Sequence, residues 1–244
     1  MRTIEVLSMA FYKVTYSQAY RRATVHNAGC NFRCLGCAHK LRGRPAGEPA
    51  LALGEIFDCL RRLDLERVHF MGGEPTTNPK LPDVLAFCKQ QLGARTYLGH
   101  TNGSRLVLDD LDGSNVSLKA FSPEKHLEYT GQPRDPVYDN LGASFAAGLD
   151  VKASCVYIPE YVAEDEIQGM TGFLASLDPA IPFHIMGYIP VPGAPWRRPT
   201  SEEMASVVAL ARDRLHNVSF SHLTPEQALD LTARDARFKV VQVL

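Results

Sequence analysis

Gly29-Cys30-Asn31-Phe32-Arg33-Cys34-Leu35-Gly36-Cys37 sets three thiols at C-x3-C-x2-C spacing. Three thiolates on one tight loop can hold three corners of a metal cluster. Iron–sulfur clusters are held by cysteine thiolates, normally four, and a structural zinc site also wants four ligands. No fourth cysteine lies near in sequence. Either a histidine, His39 or His26, completes a zinc site, or one iron of a 4Fe–4S cluster stays open to another ligand. Catalytic metals generally keep such an open position.

The other cysteines, at 59, 88 and 155, are scattered. A disulfide framework would be spread more evenly and belongs to small secreted chains. Cys88 falls on an apolar helix face and reads as core. Auxiliary clusters usually show close spacing of their own, which Cys59, Cys88 and Cys155 lack. The 244 residues are 45% hydrophobic and 22% charged, an ordinary globular composition. With 26 Lys+Arg against 27 Asp+Glu, bulk charge argues against a nucleic-acid binder. No apolar run approaches a membrane span, and the first residues lack a signal-peptide core. The expectation is a soluble, cytoplasmic protein.

From residue 23 onward, strand-like and helix-like segments alternate. Strands are expected at Ala23–His26, Arg67–Met71, Thr96–His100, Asn115–Ala120, Asp150–Ile158 and Pro182–Ile189, with short extended pieces near Val218–Phe220 and Phe238–Val243. Helical spacing joins Ile56, Phe57, Leu60 and Leu63. Asn78 and Pro79 predict a cap and first turn ahead of Leu81, Val84, Leu85, Cys88 and Leu92. Further helices are expected at about 137–148 and through Ile167, Met170, Leu174 and Leu177. Thr200 and Glu203 have capping-box spacing before Met204, Val207, Val208, Ala211 and Leu215. Such alternation implies parallel strands with crossover helices. The fold class is therefore α/β: a partial (β/α)6 TIM-type barrel in a single domain. Residues 1–22 read as an N-terminal extension, 23–220 as the core and 221–244 as a C-terminal extension. In such folds chemistry gathers at the C-terminal ends of the strands. Cys30, Gly72-Gly73, Thr101-Asn102 and Lys119 each follow or end a predicted strand, so they should converge on one rim.

With these motifs assembled, the chain resembles the radical S-adenosylmethionine (radical SAM) superfamily. In that family the three cysteines ligate a 4Fe–4S cluster, and the amino and carboxylate groups of SAM take the fourth iron. Reductive cleavage of SAM then gives a 5′-deoxyadenosyl radical that abstracts hydrogen. The resemblance implies Cys30, Cys34 and Cys37 as metal ligands. Gly72-Gly73-Glu74-Pro75 resembles the GGEP motif that meets the methionyl part of SAM, where glycine permits close backbone approach. Thr101-Asn102-Gly103, the strand end Leu118-Lys119 and the segment Ser122–Gly131 are similar to the pyruvate formate-lyase activating enzyme (glycyl-radical activase) group. Lys119 beside the SAM carboxylate would make a charge-assisted contact. The resemblance covers about residues 23–190. It further implies an electron donor such as ferredoxin or flavodoxin, anaerobic chemistry and a glycyl-radical protein as partner. It assigns no catalytic acid or base.

The sequence departs from that group in three places. Gly36 stands where an aromatic usually precedes the third cysteine, and His39 is the candidate to take over part of that contact with the adenine. His100 and Ser117 replace two acids that help hold a monovalent cation beside SAM. These changes favour an alternative, a radical SAM enzyme acting on a small molecule or another kind of protein residue in cofactor biosynthesis or modification. A third reading, of another class, is a zinc-stabilised, non-catalytic interaction module. The basic stretch Lys40-Leu41-Arg42-Gly43-Arg44 reads as a solvated loop or a contact for an acidic partner. Trp196, in the proline-rich loop Pro190–Pro199, either borders the substrate mouth or covers the barrel bottom.

Overall fold

The computed structural model describes residues 9–42, 49–230 and 239–244. Its strands are β1 (Ala10–Ser17), β2 (Arg22–Ala28), β3 (Arg67–Met71), β4 (Arg95–Thr101), β5 (Gly113–Leu118), β6 (Asp150–Tyr157), β7 (Phe183–Gly187), β8 (Val218–Ser221) and β9 (Val241–Gln242). They form one sheet in the order β8-β7-β6-β5-β4-β3-β2-β1-β9. Every neighbour pair from β2 to β8 is parallel. The sheet does not close, so the architecture is an open, partial TIM-type barrel in one α/β domain. Among the described residues no helix is long and apolar enough to cross a membrane.

The helices are α1 (His39–Arg42), α2 (Leu53–Arg61), α3 (Leu81–Ala86), α4 (Pro123–Thr130), α5 (Asp135–Ala146), α6 (Glu164–Leu177), α7 (Ser201–Arg212) and α8 (Pro225–Leu229). Two apolar clusters join helices to one face of the sheet. Val68 and Phe70 pack with Ile56, Leu60, Val84 and Leu85. Leu118, Cys155 and Ile185 pack with Leu141, Met170, Leu174 and Val207. Burying such side chains is worth roughly 1.5–3 kcal/mol each. The strand period of two turns the alternate residues to the opposite, helix-free face.

Four expectations need correction. The segment 1–22 carries a strand: β1 runs antiparallel to β2, and β9 pairs with β1. A register shift between Phe11 and Lys13 breaks the alternation by which β1 could have been recognised. The fourth strand starts two residues earlier than predicted. Gly113 pairs with Tyr97 and Asp150 where an added Cβ would lie 2.4 Å from the Asp150 carbonyl. The helix after Asn78 begins later than expected, at Leu81 with Lys80 before it. Asn78 Oδ1 accepts from Lys80 N at 2.9 Å and so caps only the turn leading into the helix, while its amide donates to Asn27 Oδ1 at 2.9 Å. The helix ends in a π turn over Phe87–Gln91. The parallel run has seven strands rather than six, because the piece near Val218–Phe220 is β8. Gly43, Arg44 and Phe238 lie outside the described residues.

α4 is started from a distance. Its Ser122 makes no side-chain cap bond of the usual kind. Instead Glu166 of α6, 1% exposed, accepts from the amides of Phe121 and Ser122 and from the Ser122 hydroxyl, and pairs with Lys125 at 3.2 Å. Burial pushes this carboxyl up, but the Ser122 and Phe121 donors and Lys125 outweigh it and hold it below its ordinary value. A depressed carboxyl contributes its full stability above the unfolded value, 4.5, and loses it as pH falls through the folded one. Glu166→Ala should cost about 2–4 kcal/mol in urea unfolding at pH 7. It should also flatten the loss of stability below about pH 4.5, and an unchanged acid limb would contradict this role.

Candidate active site at the strand tips

The cysteine loop leaves β2 through Gly29 (φ 82°). It then docks on the end of α4, where helix carbonyls lack intrahelical partners. Arg33 N donates to Thr130 O at 2.8 Å and Leu35 N to Tyr129 O at 3.0 Å. Phe32 is buried and meets His126 edge-on at 5.7 Å. The space beside Gly36 is filled by Tyr129: a Cβ there would lie 2.6 Å from its hydroxyl. Tyr129, Tyr161 and Tyr188 surround Trp196 at centroid distances of 5.8, 4.4 and 5.9 Å. The Trp196 loop therefore sits at the strand-tip end, beside the cysteine loop.

Gly72 and Gly73 end β3 at φ 84° and 48°. A Cβ on Gly73 would lie 1.8 Å from Gly29 O, so the two loops touch backbone to backbone. Glu74 follows, fully buried. Its Oε1 accepts from Thr76 N at 3.1 Å, Thr76 Oγ1 at 2.8 Å and Thr101 Oγ1 at 2.8 Å, and its Oε2 from Asn102 N at 2.5 Å. The Glu74 carboxylate is thus committed internally, and only backbone groups of this loop are left for a ligand. Asn27 donates to Glu74 O at 3.0 Å, and Glu74 N to Gly29 O at 2.8 Å. Asn102 Nδ2 reaches Asn31 Oδ1 at 2.8 Å and Cys30 Sγ at 3.8 Å. The tips of β2, β3 and β4 form one hydrogen-bonded unit.

The thiols share this loop without closing on a common point: among the described residues no three Cys, His, Asp or Glu donors converge. Cys30 is exposed as a residue, yet burial of its sulfur pushes the thiol up to about 11. The Phe32 amide, donating at 3.4 Å, and the Lys119 ammonium act in the opposite direction. Burial also raises Cys34, with Lys119 the main opposing influence. The donor set suits an iron–sulfur cluster: three cysteines on one loop, backbone and amide N–H groups on sulfur, and a cation nearby to favour thiolate. Neither His26, 2.9 Å from Thr15 Oγ1, nor His39, exposed on α1, joins the thiols in a closed donor group. Cys88 and Cys155 are buried apart, and Cys59 faces Val243 O.

Lys119 follows β5 and donates to Ser117 Oγ at 2.7 Å. Among the described residues no carboxylate pairs with it. Burial, then Lys119 and then His184, push His100 down to about 4. The positive charge beside the tips is therefore carried by Lys119, with His100 neutral at pH 7. The sequence reading missed Asn27, Asn31, Tyr129 and Glu166. For Asn31 the signal was position inside the motif; the others work through packing and distant hydrogen bonds.

Residues 24–168, more than half of the chain, match the model of the Radical SAM superfamily. The chain belongs to the radical SAM superfamily. This family uses a 4Fe–4S cluster and SAM. A protein of Methanocaldococcus jannaschii, provisionally named a glycyl-radical enzyme activating enzyme, is 28% identical over 211 residues, covering 82% of this chain and 80% of its own. The GTP 3′,8-cyclase of Yersinia pestis is 34% identical over 163 residues, 62% of this chain, which spans 48% of the cyclase. The structure of Streptococcus suis SuiB bound to S-adenosylmethionine superposes with a TM-score of 0.64 at 16% identity, over 83% of this chain and 50% of that one. This likeness concerns the fold alone.

The backbone contact between Gly73 and Gly29 has a direct test. Gly73→Ala should lower the melting temperature by several degrees, since both the positive φ and the close approach are lost. Gly54→Ala in α2, with nothing within 4 Å of the new Cβ, should be neutral or slightly stabilising. Equal melting temperatures for the two variants would contradict the role given to Gly73.

Proposed function

We propose that this radical SAM enzyme installs a glycyl radical in a partner protein by abstracting hydrogen from a glycine α-carbon. The observation that carries the reading is end-to-end similarity to the archaeal activating-enzyme relative, 82% of one chain against 80% of the other. The open, single-domain barrel agrees with it, because a protein loop needs an uncovered mouth. When bound, the 4Fe–4S cluster and SAM supply the reductive cleavage that yields methionine and the hydrogen-abstracting 5′-deoxyadenosyl radical. Cys30, Cys34 and Cys37 hold the iron. Backbone groups of Gly72 and Gly73 receive the methionyl amino end, with Glu74 fixing their loop from behind. Lys119, oriented by Ser117, meets the SAM carboxylate. Thr101 and Asn102 position the facing loop, and His39 together with Tyr129 borders the adenine end. The enzyme works in the cytoplasm with an electron donor such as ferredoxin or flavodoxin.

A second reading, modification of a small molecule, is favoured by His100 and Ser117 in place of the two acids of the activase pattern. Candidate glycyl-radical proteins separate the two. Reduced enzyme, SAM and the right partner should give a doublet in electron paramagnetic resonance. No doublet with any partner, alongside turnover of a small molecule, would reject the activase.

Two substitutions test the residue roles. Cys34→Ala should lose bound iron and all 5′-deoxyadenosine formation. Lys119→Ala should keep the iron and weaken SAM binding by about tenfold or more, the scale of a charged hydrogen bond. SAM affinity unchanged in Lys119→Ala would refute that contact.

A further inference from the structure

The helix-free face of the sheet is the interior of the partial barrel, and register fixes what lines it. Asn115 pairs with Lys152, and Ser117 with Ser154. Ser154 pairs with His184, and His184 with Ser219. Their strand neighbours Val116, Leu118, Ala153, Cys155, Phe183 and Ile185 belong to the helix-packed core. Ser117, Ser154, His184 and Ser219 therefore form one row on the interior face. His184 is held by Ser219 Oγ at 2.8 Å and Ser221 Oγ at 3.1 Å. On the neighbouring strands β4 and β5, Asn115 Nδ2 lies 3.5 Å from His100 Nδ1. Gly99 leaves room for His69, whose Nδ1 would lie 3.2 Å from a Cβ there.

This interior is rich in donors and cations. His69 is pushed down to about 3, first by burial and then by Arg22, Arg67 and Lys152, which places those three charges within electrostatic reach. His100 in turn feels Lys119 and His184. The carboxylates that face this set, Asp150 at 3.6 Å from Lys152 and Glu66 paired with Arg67, stand at the N-terminal rim. Farther in, the polar residues on this face are threonine, histidine, serine, asparagine and lysine, with Tyr97, Met71, Val156 and Met186 between them and no carboxylate among those described. The Ser154 hydroxyl, on a fully buried residue, has no hydrogen-bond partner. A buried donor without a partner costs free energy that a bound anion would recover, and the half-exposed Lys152 ammonium, 3.6 Å from Asp150, has further N–H groups to offer one.

We infer that the barrel interior binds an oxyanion, a phosphate or carboxylate carried by the substrate, between His100 and Asn115 on one side and Lys152, Ser154 and His184 on the other. The inference rests on the hydrogen-abstraction reading only for the identity of the carrier. Anion binding itself is measured without SAM.

The test is equilibrium dialysis of the anaerobic, cluster-loaded protein against labelled inorganic phosphate and labelled acetate. Saturable binding is expected for at least one anion. Phosphate alone points to a phosphoryl carrier, and acetate alone to a carboxylate one. Lys152→Met and Ser154→Ala should each weaken that binding, the lysine variant by about tenfold or more. Both should keep uncoupled 5′-deoxyadenosine formation. Ser154→Ala, a small change in a buried row, guards against mere misfolding of the charge variant. No saturable binding of either anion, or binding that survives both substitutions, would overturn the inference. Where 5′-deoxyadenosine still forms in those same preparations, the radical reading stands and only the anion subsite falls.

Discussion

A single buried carboxylate holds the reactive end of this protein together. Glu74 has no exposed surface and receives four hydrogen bonds from three residues in two segments, its own loop and the tip of β4. A carboxylate left there without donors would be strongly destabilising, on the order of several kcal/mol. Its donors are the residues that must be positioned: Thr76 in its own loop, and Thr101 and Asn102 at the tip of β4. Through its backbone it also holds Gly29 and Asn27, which bracket the entrance to the cysteine loop. The glutamate of the Gly72–Pro75 motif thus acts as an internal tie. The two glycines before it make the close backbone approach to the cysteine loop, because a side chain on Gly73 would strike Gly29 O.

Fixing the loop from behind leaves the electrostatics in front to one cation. Lys119 leans on the neutral hydroxyl of Ser117, so its charge is not spent on an internal carboxylate. It favours thiolate at Cys30 and Cys34 and disfavours protonation of His100. Had Ser117 and His100 been acids, as in the activase pattern, the same space would be anionic and suited to a metal cation. In this chain it is cationic. This difference connects the subgroup departures seen in the sequence to the donor-rich barrel interior.

Much of this was legible in the residues. The motif at Cys30–Cys37 and the alternation of periods indicate both the rim and the parallel sheet, and β3 falls on Arg67–Met71 as expected. The Thr200–Glu203 capping box forms as its spacing predicts. What escaped reading is what depends on distant partners. β1 hides behind a bulge. Asn78 caps only the turn ahead of its helix, and its amide is tied to Asn27 on a distant strand. Gly36 looks like the loss of an aromatic contact until Tyr129, far along the chain, fills the gap. Local pattern shows which element forms, whereas long-range hydrogen bonds and packing decide what a given side chain does within it.

The central claim is that three thiolates hold a cluster with one iron left for SAM. The most direct test is the electron paramagnetic resonance spectrum of the anaerobically purified, reduced protein with and without SAM, together with its metal and sulfide content. About four iron and four sulfide per chain, and a cluster signal that shifts when SAM is added, are the predicted results. Zinc without sulfide, or a cluster signal that SAM leaves unchanged, would contradict the account.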